Sequence, residues 1–298
     1  MHIEHSLPLQ LQPAHRSYVT LLVLSLLLSG GIAQQTLFAQ TALLHRFDVS
    51  EKSASVKRLP SALSEISGLA LTSDGKLYAH NDEAGRIYVL EPWSGKQIRS
   101  FDLGRGLARE DFEGIAVAGE QIWLVNSAGT LFAFSDPGTT GNAKYTVYKT
   151  ALSRRNDVEG LCYDPVRNEL LLACKEYAGT RTVGDRAVWA FSLTDKRLKS
   201  APRFVLSRSQ LGRITGKNDN GFSGIERNPQ SGTFFLLSSK GQYLVELSAE
   251  GAILGHARLA KKAHPQPEGI TFLRGGELVI ADEGKKNGTL TLYPMSKR

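Results

Sequence analysis

Three glutamates in this chain occupy the same local setting. Glu113 in DFEGIAVAG (111–119), Glu159 in DVEGLCY (157–163) and Glu268 in QPEGITF (266–272) each precede a glycine at the head of an apolar run. Two further stretches, EISGLAL (65–71) and GFSGIER (221–227), repeat the pattern with Ser67 and Ser223 in place of the acid. Carboxylates gathered without counter-charge raise one another's pKa. A hard cation relieves that repulsion, and calcium accepts six to eight oxygens in loose geometry. His and Cys at zinc spacing are absent from the sequence.

Whether these acids meet depends on the elements that carry them. The motif glycines fall at 68, 114, 160, 224 and 269, giving steps of 46, 46, 64 and 45 residues. Near-constant steps of this size mark a repeat array, and propeller blades in particular. Each motif is followed by a turn (SDGK at 73–76, DPVRNE at 164–169, RGGE at 274–277) and a second strand such as KLYAH, QIWLV or ELLLA. Third strands RIYVL, TLFAF, AVWAF, YLVEL and TLTLY are rich in residues that suit a pleated surface. The spacing predicts an all-β chain: a five-bladed β-propeller of four-stranded blades. The fifth motif meets the end of the chain after three strands, so ALLHRFDV (42–49) is expected to supply the missing one and close the ring. Six blades would need an unseen blade inside the 64-residue step, which the loops 177–186 and 209–221 explain better.

In such a ring the motif opens the innermost strand, where a side chain in place of glycine would strike the neighbouring blade. The preceding Ser or Glu then lies near the mouth of the central channel. Antiparallel pairing returns each second strand to that mouth, bringing Asn81 and Asp82, Asn126, Lys175 and Glu176, Ser239, and Asp282 and Glu283. The expected oxygen set is Glu113, Glu159, Glu268, Asn126, Asp282 and Asp82, with calcium as its cation. Lys175 stands among the same ends, and with Arg86 or Lys240 it offers plain ion pairs instead.

Composition bounds the remainder. The 298 residues are 41% hydrophobic and 22% charged, ordinary for a globular chain, with a formal charge of +7. YVTLLVLSLLLSGGIA (18–33) is a short uncharged apolar run with small residues at a cleavage position, so residues 1–33 read as a secretory signal before one domain at 34–298. An uncleaved N-terminal anchor is the alternative. Cys162 is expected opposite Leu171, Tyr163 opposite Leu170, and Cys174 opposite Glu159, a register that keeps the two thiols apart and free.

The stretches ISGLALTSDGKLYAHNDEAGRIYVLE, FEGIAVAGEQIWLVNSAGTLFAF and PEGITFLRGGELVIADEG resemble the bacterial SdiA-regulated family, and the similarity spans roughly residues 60–295. The resemblance implies a five-bladed propeller outside the cytoplasm, with a calcium-associated site at Glu113, Glu159, Glu268 and Asp282. Its basic character and two long loops depart from the family pattern.

Two functions compete. The first is a monomeric binding propeller of the periplasm or cell exterior, associated with the envelope and taking an anionic small molecule or glycan on its basic surface. The second is a metal-dependent lactonase, esterase or phosphoesterase, with the cation polarising the substrate and Asp82, Glu159 or His80 as general base. No GxSxG or HExxH occurs, and dispersed basic residues argue against nucleic acid.

Overall fold

The computed structural model describes residues 42–139, 141–179, 182–216 and 221–297. The leader expected at 1–33 lies outside these. Among the described residues five antiparallel sheets form the ring. Blade 1 comprises Ile66–Leu71, Leu77–Asn81, Arg86–Leu90 and Gln97–Asp102. Blade 2 comprises Phe112–Ala118, Gln121–Asn126, Leu131–Phe134 and Tyr145–Tyr148. Blade 3 has Val158–Asp164, Glu169–Cys174 and Arg186–Ser192, with an outer edge shared by Arg197–Leu198 and Phe204–Leu206. Blade 4 comprises Gly224–Arg227, Phe234–Ser238, Tyr243–Leu247 and Ile253–Arg258. Blade 5 has Pro267–Phe272, Leu278–Asp282, Thr289–Tyr293 and, from the N-terminal side, Ser55–Arg58.

The closing strand is therefore Ser55–Arg58, paired with Thr289–Tyr293, and not 42–49. The earlier segment forms a single 3-10 turn, Leu44–Arg46, and one bridge from Phe47 to Met295. Its apolar residues Leu43, Leu44, Phe47 and Val49 pack on Phe235, Phe272 and Tyr293 as a plug between blades 4 and 5. Fully buried Glu246 fastens it, accepting from the backbone N–H groups of Leu43 and Leu44 and from Thr233 Oγ1. A buried carboxylate is tolerated when donors surround it in this way.

The 64-residue step holds no sixth blade. The second of its two long loops is largely an α-helix, Arg208–Thr215, capped by Ser207 and Gln210 and ended by Gly216 in the left-handed conformation.

The register matches expectation at Cys162–Leu171 and Tyr163–Leu170 but shifts above Gly160, so that Cys174 faces Val158 and not Glu159. Glu159 is the extra residue of a β-bulge. The same irregularity precedes Gly68, Gly114 and Gly269, so Ser67, Glu113 and Glu268 are bulged too. A bulge re-aims one side chain out of the alternating pattern. Both cysteines are buried and free.

Candidate functional site: the channel axis and the blade 3 groove

The five-fold motif builds three layers around the axis. A Cβ on Gly114 would lie 2.8 Å from Leu161 N, one on Gly160 2.9 Å from Ile225 N, and one on Gly224 2.8 Å from the Glu268 carbonyl oxygen. The glycines thus let each inner strand pass against the next. Below them Leu69, Ile115, Leu161, Ile225 and Ile270 close the channel with an apolar ring. Above them stand Ser67, Glu113, Glu159 and Glu268, around an axial cavity of about 10 Å³. That is room for roughly one water-sized occupant.

Of the six expected ligands, Glu113, Glu159 and Glu268 converge. Asn126 lies outside the cavity, donating to Glu110 and accepting from the Thr130 N–H. Fully buried Asp282 is engaged with His264 Nδ1 at 2.7 Å and the Gln266 N–H at 3.2 Å. Half-buried Asp82 sits nearer Glu65 and Glu83, and burial first, then those neighbours, raises its pKa.

A lysine of the protein reaches this trio. Lys175 Nζ is 2.6 Å from Glu159 Oε1. Its position follows from the chain: beyond the last paired strand residues, Lys175 N–H donates to the Asp157 carbonyl at 2.7 Å, with Asp157 at φ 53°. The stem then crosses Gly221, where a Cβ would stand 2.5 Å from Lys175 Cγ. Burial disfavours the ammonium, but Glu159, Asp157 and Glu268 outweigh it and hold its pKa above the usual lysine range.

One ammonium does not neutralise three carboxylates. Burial, then Glu159 and Asp111, drives the Glu113 pKa far above the ordinary range. Burial and Glu159 push Glu268 up to about 8, while Ser239 donates to it and works the other way. Burial raises Glu159 as well, while the direct bond to Lys175 opposes this. Further out, burial and Asp82 bring Glu283 to about 7, beside a cleft of about 420 Å³ between Glu65, Gln266 and Lys285.

Two histidines are settled by their partners. His80 is fully buried and bonds through Nδ1 to the Asn81 carbonyl oxygen, which fixes its proton there; burial lowers its pKa to about 4. It is neutral, and its Nε2 faces the Gly68 backbone. His264 bridges Asp282 and, through Nε2, the Tyr293 hydroxyl at 2.6 Å, all three buried inside blade 5. The sequence reading missed this triad because its members lie 18 and 29 residues apart with no shared motif.

The hairpin extension that delivers Lys175 to the axis delivers two other residues outward. Glu176 N–H and Tyr177 N–H donate to the Asn156 and Arg155 carbonyls, and buried Asn156 ties the two arms through Nδ2 to the Tyr177 carbonyl at 2.9 Å. Arg155 lies with its guanidinium 5.0 Å from the centre of the Tyr177 ring. Beside them Ser153, Trp189, Lys199 and Ser200 complete a groove of about 490 Å³. Arg155 is exposed and has no carboxylate partner among the described residues.

Comparison with solved structures shows the fold. Glutaminyl cyclase from Myxococcus xanthus superposes with a TM-score of 0.55 at 15% identity, over 81% of this chain and 94% of that one. The PQQ-bound aldose sugar dehydrogenase from Streptomyces coelicolor gives 0.51 at 11% identity, over 80% and 98%. A luciferin-regenerating enzyme gives 0.50 at 10% identity, over 81% and 95%. These chemistries differ, so the likeness carries the propeller and no activity. A search of curated proteins gave no match. Residues 203–296, from the outer edge of blade 3 through blade 5, match the model of the SdiA-regulated family, about a third of the chain.

Proposed function

We propose that the chain is an exported binding propeller that takes an anionic small molecule or an acidic glycan in the groove beside blade 3. The observation that carries this reading is Arg155, an exposed guanidinium stacked on Tyr177 and free of any carboxylate among the described residues. A planar cation fixed on an aromatic ring matches a carboxylate or sulfate in two-point geometry. Trp189 and Tyr177 offer the apolar faces that a sugar ring packs against. The groove volume falls within the range of small-molecule sites. The axis is less suited, because a cavity of about 10 Å³ gives no room for an organic group. Export rests on the apolar run at 18–33; among the described residues no helix is long and apolar enough to cross a membrane.

The test is calorimetric titration with a uronic-acid oligosaccharide and a neutral oligosaccharide of equal length. Binding of the acidic one alone, weakened about tenfold or more in Arg155→Ala, is expected, since a charge-assisted contact contributes about 1.5–3 kcal/mol. Equal binding of both, no binding of either, or an unaffected Arg155→Ala would overturn the assignment.

A further inference from the structure

The ring of acids at the axis is the place where the family resemblance implies calcium, yet with Lys175 in place the residues do not fit a resident metal ion. Calcium requires six to eight oxygens at about 2.3–2.6 Å. Among the described residues no three His, Cys, Asp or Glu side chains are grouped so as to hold a metal. Two of the expected ligands, Asn126 and Asp282, are committed to other partners. We propose that Lys175 is the resident cation of this propeller: its ammonium stands in for a metal ion, and the site becomes a divalent-cation site only when Lys175 is removed.

Three observations converge on this. The bond from Nζ to Glu159 is short, at 2.6 Å. The side chain is guided to it, because the backbone N–H is held by Asp157 and the stem crosses a position where only glycine leaves room. The third is internal to the repeat. Strand pairing makes Asp82, Ser127, Lys175, Ser239 and Glu283 equivalent, each the first residue beyond its blade's second strand. Lys175 is the only basic residue of the five. Ser127 and Ser239 instead donate to acids, Asp111 and Glu268. A single cation in a five-fold set of acids and alcohols is where charge balance at the axis is set.

The experiment measures metal content by elemental mass spectrometry, with melting curves in EDTA and in calcium, for the full chain and for Lys175→Met. The wild type should carry no stoichiometric metal and melt at one temperature in both buffers. Lys175→Met should melt lower in EDTA and regain stability with calcium, since a ligand bound only by the folded form stabilises it by mass action. Adding Glu159→Gln to Lys175→Met should abolish the calcium response, which locates the ion. Stoichiometric calcium in the wild type, with melting lowered by EDTA, overturns the proposal, as does a Lys175→Met protein indifferent to calcium. If Lys175→Met does not fold in either buffer, the Lys175→Met/Glu159→Gln protein decides: folding without metal supports the pair as a self-contained unit, and failure to fold refutes it.

Discussion

Replacing Gly114 with alanine probes one of the two closest inter-blade approaches among the motif glycines. The added methyl would sit 2.8 Å from Leu161 N, 2.9 Å from Leu161 Cβ and 3.1 Å from the Gly160 carbonyl carbon. These are atoms of the neighbouring inner strand, and no rotamer change moves them. Relief therefore requires blade 3 to shift away from blade 2, against the packing of Trp123, Val125, Leu161 and Leu172 at that seam. Overpacking of a well-filled interior costs about 1–3 kcal/mol. Because the clash is with backbone, we expect the upper end, about 3 kcal/mol. At about 2 °C per kcal/mol for a chain of this size, Tm should fall by about 6 °C. The matched control is Gly106→Ala, where a Cβ meets nothing within 4 Å and no left-handed backbone is required. Removing glycine there narrows the unfolded ensemble, so Tm should hold or rise slightly. Differential scanning fluorimetry of the two variants beside the wild type is sufficient. Equal melting of Gly114→Ala and Gly106→Ala would mean that the seam yields, and the steric account of the motif glycine would be wrong.

Stability should also depend on pH through Glu268. Its folded pKa of about 8 lies above the ordinary value of 4.5, so the folded chain holds the proton more tightly than the unfolded one. The resulting stability is full below pH 4.5 and is lost as pH rises towards 8. Tm of the wild type should fall across that window, and Glu268→Gln, which stays neutral, should flatten the fall; a slope unchanged in the variant would count against it. Cys162 and Cys174 are buried and free, burial raising both and Cys174 to about 12. An aromatic disulfide reagent should label neither thiol in the native chain and both in denaturant. Labelling before unfolding would show that these seams open. Glu246→Ala removes the acceptor shared by Leu43, Leu44 and Thr233, and should release the plug at 42–49 to hydrogen exchange while the blades stay protected. Retained protection at Leu43 and Leu44 would deny the carboxylate that role.

The repeat was legible because the Ser/Glu-Gly-Leu/Ile triplet does three steric jobs at once, and each job restricts the residue type. The motif glycines, the apolar ring below them and the convergence of Glu113, Glu159 and Glu268 all follow from it. The bulge was not legible, since an apolar run predicts strict alternation through Glu159 and nothing in DVEGLCY marks the extra residue. The closing strand was misplaced for a related reason. An outer strand is half exposed, and Ser55–Arg58 is accordingly polar, whereas the apolar stretch 42–49 is apolar because it plugs a seam. Arg155 and Tyr177 lie on loops, 22 positions apart, and are joined only by the hairpin extension above blade 3.

The extension explains why the chemistry of this propeller concentrates on one blade. A closed ring of near-identical blades gives five equivalent places at the mouth, and repeating one acid in all five would leave the axis overcharged. Two places are relieved by serine at the motif itself, and Ser223 turns its hydroxyl to the Pro267 carbonyl of the next blade. The third relief is Lys175, held at the axis where blade 3 continues three residues of backbone pairing past its last strand position and where Gly221 clears the path. The same rigid arm sets Tyr177 and Arg155 at its outer side. A substitution that loosens the arm, such as Asn156→Ala, should therefore disturb both ends together: the Lys175–Glu159 bond inward and the Arg155–Tyr177 stack outward. If Asn156→Ala lowered acidic-glycan binding while leaving the melting temperature indifferent to calcium, the two ends would be mechanically separate, and the arm would be no more than a loop.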